Sequence, residues 1–181
     1  NDGAFALTAG GDESIANIFN GGTIALSSGS VLTLNTGASA ISGAISGAGD
    51  LTVAGTSATT LSGTNTYTGV TTLTGGTLDL QNGAAIADAG AVVVNAGTLT
   101  VTNAETIGSL AGSGGTVQMD ANLTTGGNNT STSYAGVLAG AGTFEKTGSG
   151  EMTLTGASTA NGTTTVSGGT LTVDGSIAST V

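Results

Sequence analysis

LSGTNTYTGVTTLTGGTLDLQNG, residues 61–83, carries the reading of the fold. Leu73, Leu78 and Leu80 alternate with Thr and Asp, and a period of two means strand. Gly75-Gly76 and Asn82-Gly83 close the segments, with glycine at the corners where the backbone needs positive φ. The string returns, loosened, at 154–176 as LTGASTANGTTTVSGGTLTVDGS. With the residues before them, 43–80 and 136–173 stay in register without a gap at an offset of 93 residues. Gly69 falls on Gly162, Gly47-Ala48-Gly49 on Gly140-Ala141-Gly142, and Gly75-Gly76-Thr77-Leu78 on Gly168-Gly169-Thr170-Leu171. Unbroken register over that distance predicts stacked units rather than one irregular core.

Working outward, alternating segments recur at 23–26, 31–34, 51–53, 71–73, 77–80, 92–94, 99–101, 116–119, 152–154, 164–166 and 171–173. Thr, Val, Ile and Leu suit a pleated, half-buried surface. Helical signal is thin: residues 83–90 are short and bounded by glycine. Two all-β arrangements compete. An antiparallel sandwich needs hairpins and large core residues, and the chain has only five aromatics: Phe5, Phe19, Tyr67, Tyr134 and Phe144. A right-handed parallel β-helix, a solenoid, needs short strands, tight glycine corners and small aliphatics stacked in columns, which this sequence has. Coils of ~20–25 residues give ~7–8 rungs, a rod about 35–40 Å long in which the 93-residue offset is about four rungs. Leu61, Leu78 and Leu80, with Leu154, Leu171 and Val173, are expected to point inward, and the intervening threonines outward in ladders. The whole chain, 1–181, reads as one β-helix segment with internal units 43–83 and 136–176.

Among 181 residues there are 34 Gly and no Pro, Cys, His or Trp. Mean hydropathy of +0.31 and regularly spaced aliphatics argue against disorder. No apolar run reaches the length of a membrane helix, and no signal-peptide pattern opens the chain. Lys146 is the one cation against eleven acidic residues, for a formal net charge of −10. Such a chain cannot neutralise a row of phosphates, so nucleic acid is excluded as an expected partner, and an anionic membrane surface likewise. The lack of Cys is consistent with a chain that crosses a membrane unfolded.

No His and no Cys removes Ser-His-Asp and Cys-His chemistry. Ser-Lys chemistry would rest on Lys146, which in TFEKTGSGE, beside Glu145 and near Glu151, reads as a solvated surface lysine. Paired carboxylates could hydrolyse glycosides, but Asp50, Asp79, Asp120, Asp174, Glu105, Glu145 and Glu151 read as scattered turn or outward strand positions, without aromatic platforms. Gly10-Gly11-Asp12-Glu13 is a single acidic turn, not a serial calcium repeat. No catalytic, cofactor-binding or metal-binding residue is therefore expected. Tyr67 and Tyr134 read as corner packing. The surface feature of most interest is Thr-x-Thr: Thr72-Leu73-Thr74, Thr98-Leu99-Thr100-Val101-Thr102, Thr153-Leu154-Thr155 and residues 163–165. Thr is a good outward strand residue in any case; hydroxyl ladders could also serve self-association, or, with a constant period that is missing here, ice.

Leu61, Gly63, Asn65, Tyr67, Gly69, Thr71, Leu73, Gly76, Leu78 and Leu80 follow the pattern L-x-G-x-N-x-Y-x-G-x-T-x-h, then glycine and leucine. This resembles the passenger-associated transport repeat of bacterial autotransporters, the type V secretion proteins. The second copy keeps Leu154, Gly156, Gly162, Thr164, Val166, Gly169, Leu171 and Val173 and departs at Ser158 and Ala160, where the pattern has Asn and Tyr. The resemblance implies a surface-exposed β-helical passenger on the bacterial outer membrane. Its partner would be a C-terminal outer-membrane β-barrel, whose strand pattern this chain does not show, so a piece of a longer passenger is expected. It also implies adhesion or autoaggregation, with self or a host surface as partner, and vectorial folding during secretion.

Overall fold

The computed structural model describes residues 4–7, 10–15, 19–35 and 37–178. These residues contain strands, turns and bends and no helix, and every strand pair is parallel. They stack as a β-solenoid of about 8 turns. Each turn visits three faces. Face one holds Phe5–Leu7, Ile24–Leu26 and Ile45–Gly47, then, after an interruption, Glu105–Ile107, Leu123–Thr125, Phe144–Lys146 and Thr164–Val166. Face two runs Asp12–Ile15, Val31–Leu34, Asp50–Val53, on through Ser109–Ala111, Thr132–Tyr134, Glu151–Leu154 and Thr170–Val173. Face three includes Phe19–Asn20, Ala38–Ile41, Ala58–Leu61, Thr116–Met119 and Val137–Gly140. No helix among the described residues is long and apolar enough to cross a membrane.

Partners in neighbouring turns lie 18 to 22 residues apart, as in Ala91↔Ser109 and Thr74↔Ala96, at the short end of the coil expected from strand spacing. The segments 71–73 and 77–80, read as two strands, form one, Thr71–Leu80, and 92–94 and 99–101 likewise join in Ala91–Val101. Both bend around the edge between faces two and three, with register shifts between Leu73 and Thr77. Gly76 makes that bend at φ 69°, and its counterpart Gly169, at 64°, turns the chain from face one to face two, in each case a left-handed conformation that costs a side chain but not glycine.

Alternation sets the interior. Leu51, Val53, Leu61, Leu78, Leu80, Leu99 and Val101 have no exposed surface, and each buried leucine-sized side chain contributes about 2 kcal/mol. Leu154 is buried as expected, and Leu171 packs on the core half-covered. Val173 is a correction: it is 37% exposed. Its strand pairs only with Glu151–Leu154, so within the described residues nothing covers its second side. The threonines are not all outward either. Thr59, Thr71, Thr125 and Thr164 are buried, because they occupy inward phases of their strands.

The 93-residue offset also needs correction. Leu51 pairs with Thr71, Thr71 with Val92, and Val92 with Leu110. The column continues through the bridge Gly112↔Tyr134 to Met152 and Leu171. Phe144, the counterpart of Leu51, lies instead with Glu105, Leu123 and Thr164 on face one. The second copy therefore sits four turns and two further faces along. At about 20 residues per turn, an offset of 93 cannot be a whole number of turns.

Candidate functional site

The N-x-Y-x-G-x-T string turns out to be an internal clamp. On face one the backbone at 64–68 belongs to no strand, and 82–89 is mostly turn and bend. Asn65, 2% exposed, spans the gap. Its Oδ1 accepts the Ile45 N–H at 2.7 Å and its Nδ2 donates to the Ala85 carbonyl at 2.7 Å. One amide thus replaces ladder bonds in both directions, which a buried backbone requires. Tyr67, buried, shares a 2.5 Å hydrogen bond with the Thr71 hydroxyl; burial pushes its phenol pKa up, against the Thr71 bond. Gly69 must be glycine, because an added Cβ would overlap the Gly49 carbonyl, and Gly162 faces Gly142 in the same way. In the second copy Ser158, on face three, donates its Oγ to the Leu138 carbonyl at 2.8 Å, and Ala160 is buried.

Glu105 completes the bridge from the other side. The sequence placed it among turn or outward carboxylates; the structure corrects this. It points inward on Glu105–Ile107 and is 3% exposed. Its carboxylate accepts the N–H groups of Ile86 at 2.7 Å and Ala85 at 3.3 Å. Burial raises its pKa to about 7, partly offset by those hydrogen bonds and reinforced by the charge of Asp88.

Lys146 is the second correction. It is 1% exposed, not solvated, because period two from inward Phe144 turns residue 146 inward too, where the first copy has Val53. Its Nζ donates to the carbonyls of Thr147 at 2.5 Å and of Gly148 and Gly168 at 3.4 Å. Desolvation lowers its pKa. Thr125, its neighbour in the same inward row, keeps a buried hydroxyl without a hydrogen-bond partner among the described residues.

The remaining carboxylates are dispersed. Asp50 accepts the Val70 N–H at 2.7 Å, and Asp12 that of Val31 at 3.1 Å, each tying one turn to the next. Asp79 accepts from Gln81 and Thr102, both at 2.6 Å. Glu145 accepts from Ser167 at 2.6 Å and Glu151 from Thr172 at 2.7 Å. Asp12 and Glu13 lie in a strand rather than a turn, and are exposed. Among the described residues no three acidic side chains meet as a metal site, and the surface has no pocket.

The outward hydroxyls do form rows. Ser14, Thr33, Thr52 and Thr72 stack on face two until Val93 interrupts them. Thr77, Thr98 and Thr116 stack on face three beside the row of Thr60, Asp79, Thr100 and Gln118. Of residues 163–165, the middle one points inward. Tyr67 and Tyr134 are both buried, as packing residues, the Tyr134 hydroxyl donating to the Gly115 carbonyl at 3.2 Å.

Residues 46–80 and 144–173 match the family model of the passenger-associated-transport-repeat. Each of the two segments is similar to one copy of that repeat. No curated protein and no solved structure matches the chain significantly.

Proposed function

We propose that this chain, with its two passenger-associated-transport-repeats, is the stalk of an autotransporter passenger. In this reading it is a stiff β-solenoid held at the bacterial cell surface, whose work is display and stepwise folding rather than catalysis. The observation that carries the reading is the rotation of the second copy. A repeated recognition surface has to face the same way each time. Here Leu51 and its neighbours sit on faces two and three, their counterparts on faces one and two. What recurs is the inward pattern and the glycine corners, which any face can use.

A stacked rung gains most of its stability from its neighbours. Turns that emerge and fold first can template later ones, which opposes back-sliding through a secretion pore. A C-terminal outer-membrane barrel would be the partner in that process. Adhesion or autoaggregation is the finer part of the proposal, with the threonine rows of faces two and three as the contact surface. The rival reading is a self-contained binding module in these residues; a carbohydrate-active enzyme is the remote one, for which Glu145 and Glu151 would be the residues to test.

Latex beads coated with the protein, scored for clumping and for adhesion to cells beside uncoated beads, separate these readings. Folded, protease-resistant and inert beads support a scaffold. Clumping abolished by Thr98→Ala with Thr100→Ala would place a binding face on this segment.

A further inference from the structure

Among the described residues face one lacks its strand for two successive turns. Its sheets, Phe5–Leu7 to Ile45–Gly47 and Glu105–Ile107 to Thr164–Val166, are separated by two turns without a strand on that face. Across this gap Asn65 and Glu105 supply side-chain bonds in place of ladder bonds. We propose that the interruption at residues 82–90 is an acid-tightened joint in the rod, closed while Glu105 holds a proton and loosened when its carboxylate ionises.

Burial makes Glu105 a poor place for a charge, opposed by the Ile86 and Ala85 N–H groups. A protonated carboxyl can keep the 2.7 Å Ile86 bond through its carbonyl oxygen, and the Ala85 N–H also has the Asn82 carbonyl. No cation among the described residues pairs with Glu105. The charged or titratable neighbours are Asp88 on the loop it holds and Tyr67 from the preceding turn. The inward residues of the same turns on the other faces, Val92, Val94, Leu99, Val101 and Leu110, are apolar. The next turn on its own face offers Leu123, and Lys146 lies a turn beyond that, in the neighbouring inward row, committed to carbonyls. Opening the 82–90 loop lets water reach the carboxylate. The open form therefore gains from every rise in pH that ionises Glu105 there but not in the closed form. The raised pKa fits this direction. The joint is a property of the rod whatever the rod displays, so it goes beyond the stalk reading.

The test is amide hydrogen exchange of the protein from pH 5 to pH 8, corrected for intrinsic chemistry, comparing 82–90 with Thr116–Met119. The opening equilibrium at 82–90 should rise by up to about tenfold per pH unit toward neutrality and level off beyond it. Glu105→Gln should make it flat, with Thr116–Met119 flat throughout. A pH slope that survives Glu105→Gln, or that appears equally in Thr116–Met119, overturns the proposal. If Glu105→Gln does not fold, carbon-detected titration of Glu105 in the unaltered protein decides: a midpoint near 7 is expected, and one in the ordinary carboxylate range sinks the joint.

Discussion

The two copies of the repeat hold the same fold by different means. In the first, Asn65 bonds both adjoining turns, and Tyr67 fills the interior and caps Thr71. In the second, Ser158 reaches one carbonyl, Ala160 replaces the ring, and the last turn is half-covered. The difference teaches what the motif is for. Leucine alternation and tight glycine corners suffice to make a rung, since the second copy has little else. The Asn and Tyr fasten the strandless stretch 64–68 to a second one, 82–89, whereas the strandless stretch 158–162 of the second copy does without them. They compensate for irregularity rather than create the solenoid.

The sharpest way to break this comparison is to charge the same inward position in each copy. Leu78→Asp should cost at least about 4 kcal/mol, because it buries an unpartnered carboxylate at a position with no exposed surface. Leu171→Asp, at the half-covered counterpart, should cost about 1–2 kcal/mol. Denaturant midpoints read both. Equal costs would mean that the two copies are equally enclosed.

The joint between the copies should show in global stability against pH. The folded pKa of Glu105 is raised to about 7 from the ordinary 4.5, so between these values the folded state binds more protons than the unfolded. The contribution is full below pH 4.5 and is lost as pH rises through 7. At 1.36 kcal/mol per unit the loss is up to about 3 kcal/mol. Thermal unfolding at pH 5 and pH 8 should show it, and Glu105→Gln should remove this part of the slope. Stability that rises from pH 5 to pH 8 in the unaltered protein and not in the variant would reverse the assignment.

Smaller, and directed at the motif itself, are Asn65→Ala and Ser158→Ala. The first leaves the Ile45 N–H and the Ala85 carbonyl buried without their partner and should cost about 2–3 kcal/mol; the second removes one bond from the Leu138 carbonyl, which keeps the Thr159 and Ala160 N–H groups, for about 1 kcal/mol or less. If Ser158→Ala costs as much as Asn65→Ala, both copies carry a full clamp and the contrast between them fails.

How far all this could be read from sequence depends on the kind of residue. Parallel β-solenoid architecture was legible because period two and glycine corners are local signals that stacking reinforces, and strands 116–119 and 164–166 were found at their observed limits. The turn length was legible only as a range of ~20–25 residues, since the same alternation continues through the bends at Gly76 and Gly97 and hides where one face ends. The width of that range hid the rotation of the second copy. Of the candidate residues, Glu105 and Lys146 were misplaced by their charge. The phase of Glu105-x-Ile107 and of Phe144-x-Lys146 pointed inward, and alternation is the stronger guide in a solenoid. The double bond of Asn65 was beyond reach, because it needs two partners 20 residues away on either side.

Lys146 gives the gentlest test of the comparison, since the first copy has Val53 in its place. An ammonium here has traded water for three carbonyls, only one of them close. Buried charges held this way are often replaced by apolar residues at little cost. The direction of its pKa agrees: a lysine whose folded pKa is lowered weakens the fold while charged, a penalty relieved only as pH rises through that lowered value. Lys146→Val should therefore shift stability at pH 7 by less than about 1 kcal/mol, the relief of that penalty offsetting the loss of hydrogen bonds to the carbonyls. Adding Thr125→Val, which removes the hydroxyl left without a partner in the next turn, should tip the balance toward stabilisation. A loss above about 3 kcal/mol for Lys146→Val alone would show that the ammonium clamps the corner between 147 and 168. The second copy would then hold a fastening of its own, equal to Asn65 in the first.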